Sequence, residues 1–561
     1  MTAQTQATAA GRPSSESNGS PESNGSVDVD VVVVGAGFAG VRTLIELRRL
    51  GLSATVIEAG TDVGGTWYWN RYPGARTDSE SWSYCFPFPE LEQEWDWAER
   101  YPTQPEVQRY LRLVVERFDL RDDIEFGQRV SSAEYDEARD SWTVTTESGG
   151  RYTCRYFITA LGHLSVPYEP AVPGTETFTG ETYLTSRWPK GEVDFTGKRV
   201  GVIGTGASAI QAIPVIAEQA AQLTVFQRTP NYVMPAQNHR LTDEQRQQIK
   251  DDYPRIWEQA RRHVFGFPMD PAGRVYDDVT DQEREKIFEQ GWADGGFHYV
   301  FETFDDIILD ERSNEAAAEF IRAKIRETVI DPATAELLCP KDYPYVAKRP
   351  PAGHGYYETF NRDNVRLVDL NADPIVEVVP SGIRTQDTRH DFDVLVFATG
   401  FDAVTGPFNK IDIRGRGGRR LTEKWSDGPV TQLGIGVPGF PNLFMVCGPQ
   451  SAYANIPVVI EEVVGWIGRA LGAASDRGAS AVEALDDAAT AWGEHVEQVF
   501  GATLLPRGEK VGSWYLGANI PGKKRRVLFY FAGAGAYFDQ LDLAERAGFS
   551  GFAFTEGGSR G

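Results

Sequence analysis

The chain carries the strand, glycine turn and helix of a dinucleotide-binding unit twice, and no other feature limits its fold as strongly. The first copy runs from the β-branched stretch Val27 to Val34 into Gly35-Ala-Gly37-Phe-Ala-Gly40 and a helical segment, Val41 to Leu50. Glycines at these places let the backbone turn tightly and approach a pyrophosphate, whose charge the N-terminus of the next helix holds. The following strand, Ser53 to Glu58, ends in an acid at the usual spacing of about 20 residues, where it accepts from a ribose 2′-hydroxyl and repels a 2′-phosphate. The second copy runs from Val200–Ile203 through Gly204-Thr205-Gly206-Ala-Ser208-Ala209 to Gln211, with alanine replacing the third glycine. Its next strand ends in Arg228 and Thr229, a cation and a hydroxyl in place of the acid. Arginine pairs bidentately with phosphate, so this unit reads as an NADP site, although a solvated strand-end arginine is the plainer alternative. Two unlike ribose sites imply two nucleotides, and FAD in the first with NADPH in the second is the simplest pairing.

At 561 residues the chain is too long for one core. The expected fold class is α/β, with two Rossmann-like dinucleotide-binding domains and a helical insertion in the NADP domain. Residues 1–26 are Ser-, Gly- and Asn-rich with a doubled Glu-Ser-Asn-Gly-Ser and are expected to be a disordered tail. Residues 27–160 and 391–561 are expected to form the FAD-binding domain, and 165–235 with 346–390 the NADP-binding domain. Between them, residues 236–345 turn helical, with Thr242-x-x-Gln245 as a capping box and Phe320, Ile321, Ile325 and Val329 at helical spacing. The segment Asp393 to Asp402 reads as a buried strand that returns the chain to the FAD domain, and one more helix is expected around Val459 to Ala473.

Composition excludes several functions. A net charge of −24 repels nucleic acid and anionic membranes. No apolar run is long enough to span a bilayer and no signal pattern opens the chain, so a cytoplasmic protein is expected. The four cysteines are scattered without a Cys-x-x-Cys, which argues against a redox dithiol or a metal cluster and for reduced core residues. The one basic run, Lys523 to Arg526, reads as a solvated surface stretch.

Between the first unit and the rest lies Val63-Gly-Gly65-Thr66-Trp67-Tyr68-Trp69-Asn-Arg71-Tyr72-Pro73-Gly74-Ala-Arg-Thr-Asp78, continuing to Tyr84. So many aromatics and turns make a rigid irregular loop suited to covering a flat ring system. On spacing alone Asp78 reads as a turn residue as readily as a site carboxylate.

With the segment Phe178-x-Gly180-x-x-x-Leu184-x-x-x-Trp188-Pro189, this loop resembles the two signature motifs of the Baeyer–Villiger monooxygenases. The resemblance covers essentially all of the chain after residue 27 and is closest to the cyclohexanone, steroid and phenylacetone enzymes. It implies an NADPH- and FAD-dependent monooxygenase that, through a C4a-peroxide of the reduced flavin, inserts one atom of O2 next to a ketone carbonyl to give an ester or lactone. It further implies Arg349 as the catalytic cation and Asp78 as the carboxylate that holds it. Glu58, Gly65, Thr66, Trp67, Tyr68, Trp69, Asp78, Tyr84 and Val130 then line FAD. Thr205, Gly206, Ser208, Gln211, Arg228, Thr229, Lys348 and Arg349 line NADP, and Trp514 sits on a C-terminal loop that closes over it. No metal is implied, and none of the seven histidines falls in a motif. One position departs from the family: Leu184 stands where the motif has histidine. That departure keeps an uncoupled NADPH oxidase open as an alternative, beside a flavin N- or S-oxygenase. Linear, cyclic and steroid-sized ketones all remain compatible.

Overall fold

The computed structural model describes residues 27–169 and 172–556. The expected tail, 1–26, lies outside them. Both glycine units fold as the sequence predicts, each at the centre of its own sheet. In the first, Val29–Val34 lies parallel between Ala54–Glu58 and Arg151–Thr159. Ile124–Phe126 extends this sheet beyond Ala54–Glu58, while Ser141–Thr146, Val130–Asp136 and Asp412–Arg414 extend it beyond Arg151–Thr159. Leu443–Met445 adds a further parallel strand against Arg151–Thr159. Val31 to Val33 are fully buried, as expected of a parallel strand covered on both faces.

The second sheet is wholly parallel, in the order Val365–Asp369, Gln222–Gln227, Arg199–Ile203, Val394–Phe397, Glu181–Leu184. This corrects one expectation. Val394–Phe397 does not return the chain to the first sheet, because it pairs with Arg199–Ile203 and Glu181–Leu184 in the second. A run of four buried apolar residues fits the centre of either parallel sheet, and only pairing distinguishes them.

The segment 236–345 is helical, with Asp243–Arg262, Asp281–Asp294 and Glu311–Thr328 as its long helices. Both bonds of the expected capping box form: Gln245 N donates to Thr242 Oγ1 at 3.2 Å, and Thr242 N donates to Gln245 Oε1 at 2.9 Å. The C-terminal part holds three long helices where one was expected: Ile456–Asp476, Asp486–Gly501 and Ala534–Arg546. The latter two bury Ala489, Trp492, Val496 and Phe500, and Ala534, Tyr537, Phe538 and Leu541, at helical spacing that the sequence reading passed over. All four cysteines are buried and unpaired. None of the described helices is long and apolar enough to cross a membrane.

Leu184 ends the edge strand of the second sheet, opposite Phe397. It packs against the cluster formed by Ile203, Phe226, Val378 and Phe397. The apolar side chain therefore joins an apolar core. We expect Leu184→His to lower stability by about 1 kcal/mol, a typical cost for a single disruptive change. A thermal melt of the two proteins checks this, and a gain in melting temperature would contradict it.

Candidate active site

The glycines bring separate parts of the chain into contact. Gly35, at φ +105°, faces the carbonyl of Ala160, and a Cβ on Gly40 would lie 1.7 Å from the Gly35 oxygen. The turn is therefore closed to any side chain at either place. Gly37 and Gly65 meet backbone to backbone, since a Cβ on Gly65 would come within 2.9 Å of the Gly37 Cα. This contact lays the aromatic loop over the first glycine turn. Glu58 is 5% exposed and accepts from Ala36 N at 2.8 Å and Gly60 N at 2.6 Å. Burial raises its pKa, and the two amide donors oppose the rise.

Thr66–Trp69 forms one helical turn. Trp67 Nε1 donates to Tyr84 OH at 3.2 Å, and burial pushes the Tyr84 phenol up to about 12, so it stays protonated. The guanidinium of Arg187 lies 4.7 Å over Trp69, and Arg71 Nη2 donates to the Trp188 carbonyl at 3.2 Å. The two signature segments thus touch each other. Val130 opens its strand opposite Thr146, with its side chain in the core beside Val34 and Ile57.

At the second turn, Gly206 caps the helix Ala207–Gln219, and open space lies where its side chain would project. Thr205 Oγ1 donates to the Thr229 carbonyl at 2.9 Å, which ties the turn to the end of the neighbouring strand. Arg228 is exposed there, and Lys348 is close enough for its charge to be felt. Burial first, and the repulsion of Arg228 second, lower the Lys348 ammonium to about 8. Among the described residues neither side chain has an ion-pair or hydrogen-bond partner. Two cations held together without a carboxylate form a cradle for an anion, and a 2′-phosphate fits it.

The two nucleotide units meet at Asp78. Its Oδ2 accepts from Arg349 Nη1 at 2.6 Å, and its Oδ1 accepts from Gln211 Nε2 at 3.2 Å. Gln211, expected beside NADP, instead spends both ends of its amide on the covering loop. Its Oε1 accepts from Tyr72 OH at 2.9 Å and Arg76 N at 3.3 Å, while Nε2 also donates to the Arg76 carbonyl at 3.1 Å. Ser208, one turn earlier, also bonds the Tyr72 hydroxyl. Gly74 allows this close packing, since a Cβ there would lie 2.3 Å from the Gln211 carbonyl. Burial works against the Arg349 charge, but Asp78 and the phenols of Tyr453 and Tyr515 outweigh it and hold the guanidinium pKa above its usual value. Phe297 lies against the cation, 5.5 Å from Cζ to the ring centre. Trp514 packs with Tyr453 and Phe529, at ring separations of 5.9 and 5.2 Å.

The chain matches solved and named proteins over nearly its whole length. A family model for pyridine nucleotide-disulphide oxidoreductases matches residues 32–258, which take in both glycine turns. A Baeyer–Villiger monooxygenase of Pseudooceanicola batsensis is 42% identical, over 93% of this chain and 96% of its own. A phenazine N-monooxygenase of Lysobacter antibioticus is also 42% identical, over 94% and 97%. An oxidised steroid monooxygenase bound to NADP superposes with a TM-score of 0.90 at 45% identity, covering 95% of this chain and all of that one. A complex with FAD and NADP, OTEMO, gives 0.90 at 40%, covering 94% and all of it. The chain belongs to the Baeyer–Villiger monooxygenase family.

Beside the family's motifs lies a network that sequence reasoning missed. Arg100 donates from Nε and Nη2 to Glu80 Oε1 at 2.9 and 2.7 Å. His298 Nε2 lies 3.2 Å from the same oxygen, and its Nδ1 lies 2.8 Å from Glu302 Oε2. The one sequence signal was Glu80 itself, an acid two places after Asp78 in a loop otherwise aromatic.

The unpaired cations generate a pH prediction. Lys348 is charged below its lowered pKa of about 8 and neutral above it. As pH rises through 8, kcat/KM for NADPH should fall while that for NADH stays level. Arg228→Ala should raise KM for NADPH by about 10 to 100-fold, the worth of one charge-assisted hydrogen bond, with little change for NADH. Steady-state kinetics with both coenzymes check both expectations.

Proposed function

We propose that this chain is a Baeyer–Villiger monooxygenase that converts a small ketone and O2 to an ester or lactone with NADPH. In this reading the first sheet and its covering loop hold FAD, and the second sheet holds NADP through Thr205, Gly206, Ser208, Arg228, Thr229 and Lys348. FAD, once reduced by NADPH, supplies the activation of O2. The protein must then stabilise anionic charge, because oxygen attack on a ketone carbonyl places a negative charge on the former carbonyl oxygen. Arg349 is suited to this. Guanidinium keeps its proton at any working pH, and Asp78 fixes one of its nitrogens while the remaining donors stay available. Phe297 on the cation, and Tyr453 with Trp514 packed behind it, lower the polarity around this partly exposed charge and strengthen its effect.

The Asp78–Arg349 pair is the observation that carries the reading. An oxygenase acting on nitrogen or sulfur forms no tetrahedral oxyanion and needs no such cation, and the apolar seat of Leu184 removes the main reason to expect an uncoupled oxidase. Incubation of the holoenzyme with NADPH and a panel of linear, cyclic and steroid ketones tests the function, and absence of ester from every ketone would refute it. Arg349→Ala should retain bound FAD and lose ester formation by at least about 10²–10³-fold, the usual cost of one preorganised charge or donor. Product analysis by gas chromatography reads the loss directly, and ester at the native rate would remove Arg349 from the mechanism.

A further inference from the structure

Glu80 and Arg100 are buried and His298 and Glu302 are partly buried, and their network adjoins the catalytic pair through Asp78 and Phe297, near neighbours in sequence of Glu80 and His298. Glu80 follows Asp78 by two residues across a bend at Asp78 and Ser79. That stretch is pinned at both ends, by Thr77 N donating to the Pro102 carbonyl at 3.1 Å and Ser81 N donating to the Arg100 carbonyl at 2.7 Å. His298 follows Phe297, the ring packed on Arg349. The double glycine Gly295-Gly296 brings these two residues into place. Gly296 N donates to the Pro235 carbonyl at 2.8 Å, and a Cβ on Gly296 would lie 2.0 Å from the Tyr101 hydroxyl. Arg100 closes the assembly by donating from Nη1 to the Asp294 carbonyl at 2.8 Å.

One carboxylate oxygen, Glu80 Oε1, therefore receives both Arg100 and His298. Asp78 stands two residues before Glu80, and Phe297 stands directly before His298. We propose that Glu80 and His298 form a positioning pair, which holds Asp78 and Phe297 at a fixed separation and so sets the orientation of Arg349. This rests on the function proposed above. Neither residue touches the reacting atoms.

The charges of the network balance only when His298 is protonated: Arg100 and His298 against Glu80 and Glu302. Burial disfavours the imidazolium, but Glu302 and Glu80 outweigh it and hold His298 at about 9. Among the described residues the other titratable groups facing the network are Asp294 and Tyr101 beside Arg100, the Tyr101 phenol being held neutral by burial, and His263, at the end of the helix Asp243–Arg262. Burial lowers that imidazole to about 4, and its Nδ1 accepts from Phe265 N and Phe267 N at 3.1 and 3.3 Å, so it stays neutral. Above pH 9 the network would carry a net negative charge in a buried place, and the Glu80–His298 contact would loosen.

The test uses the FAD-loaded enzyme at saturating NADPH, where the Lys348 titration does not enter. In the native protein kcat for ester formation should fall as pH rises through about 9. His298→Gln should lower kcat about 10²-fold at all pH values, the effect of a displacement near 1 Å, with KM for NADPH unchanged and more hydrogen peroxide released. His298→Arg, a permanent cation whose fork reaches two carboxylates, should restore kcat and abolish the alkaline limb. Glu80→Gln should repeat the loss. The imidazole resonance of His298, followed by NMR without turnover, should titrate near pH 9. A native-like kcat and product ratio in His298→Gln would overturn the proposal, as would an alkaline limb that persists in His298→Arg or an imidazole titrating near 6.5. These results differ from failure of the functional reading, in which the native enzyme itself makes no ester.

Discussion

The ion pair between Asp78 and Arg349 is the constraint around which the two halves of the molecule are arranged. Asp78 comes from the loop that covers the first glycine turn, Arg349 from the segment that re-enters the second unit after the helical insertion. Asp78 is buried and Arg349 partly so, and a buried carboxylate left without its cation would cost about 3–5 kcal/mol. The two sheets are thus held by a bond that neither half can satisfy alone. Its second oxygen is engaged by Gln211. Each oxygen of the carboxylate thus has a donor, and this restricts the direction of the guanidinium as well as its distance.

Local signals in the chain were enough for the two nucleotide units. Glycine at 35, 37, 40, 204 and 206 is required by contacts that a Cβ would block or by a backbone left open to a ligand, and such requirements are legible one residue at a time. The difference between Glu58 and Arg228 was equally legible, because each sits at a strand end whose position follows from the turn before it. The ownership of Val394–Phe397 was not. Hydrophobic patterning reports that a strand is buried, while its neighbours depend on hydrogen bonds to segments nearly two hundred residues away.

The site was legible in the same uneven way. Arg349, Asp78 and Lys348 came from motif resemblance, and the geometry brings Arg349 to Asp78 and Lys348 to Arg228. Gln211 was expected beside NADP, and its bonds to the covering loop and to Asp78 were not foreseen. Helical spacing put it near the turn, but only the packing of Gly74 against that helix turns its amide toward the loop. Glu80, Arg100 and His298 had no motif to reveal them. Their shared signal is burial of charge, which depends on four segments meeting and exists only in the folded chain.

Gln211 has a consequence for how the two nucleotides sense one another. Its helix begins at the glycine turn of the second unit, and its amide ends on the carboxylate of the first, which aims the Arg349 cation. Any shift of that helix on coenzyme binding must be felt at Asp78. Binding linkage is reciprocal, so a change in what Arg349 faces must alter coenzyme affinity by the same factor. The exchange passes through one side-chain amide, that of Gln211 on Asp78. The coenzyme's departure and the discharge of the anion would then be two readings of a single equilibrium.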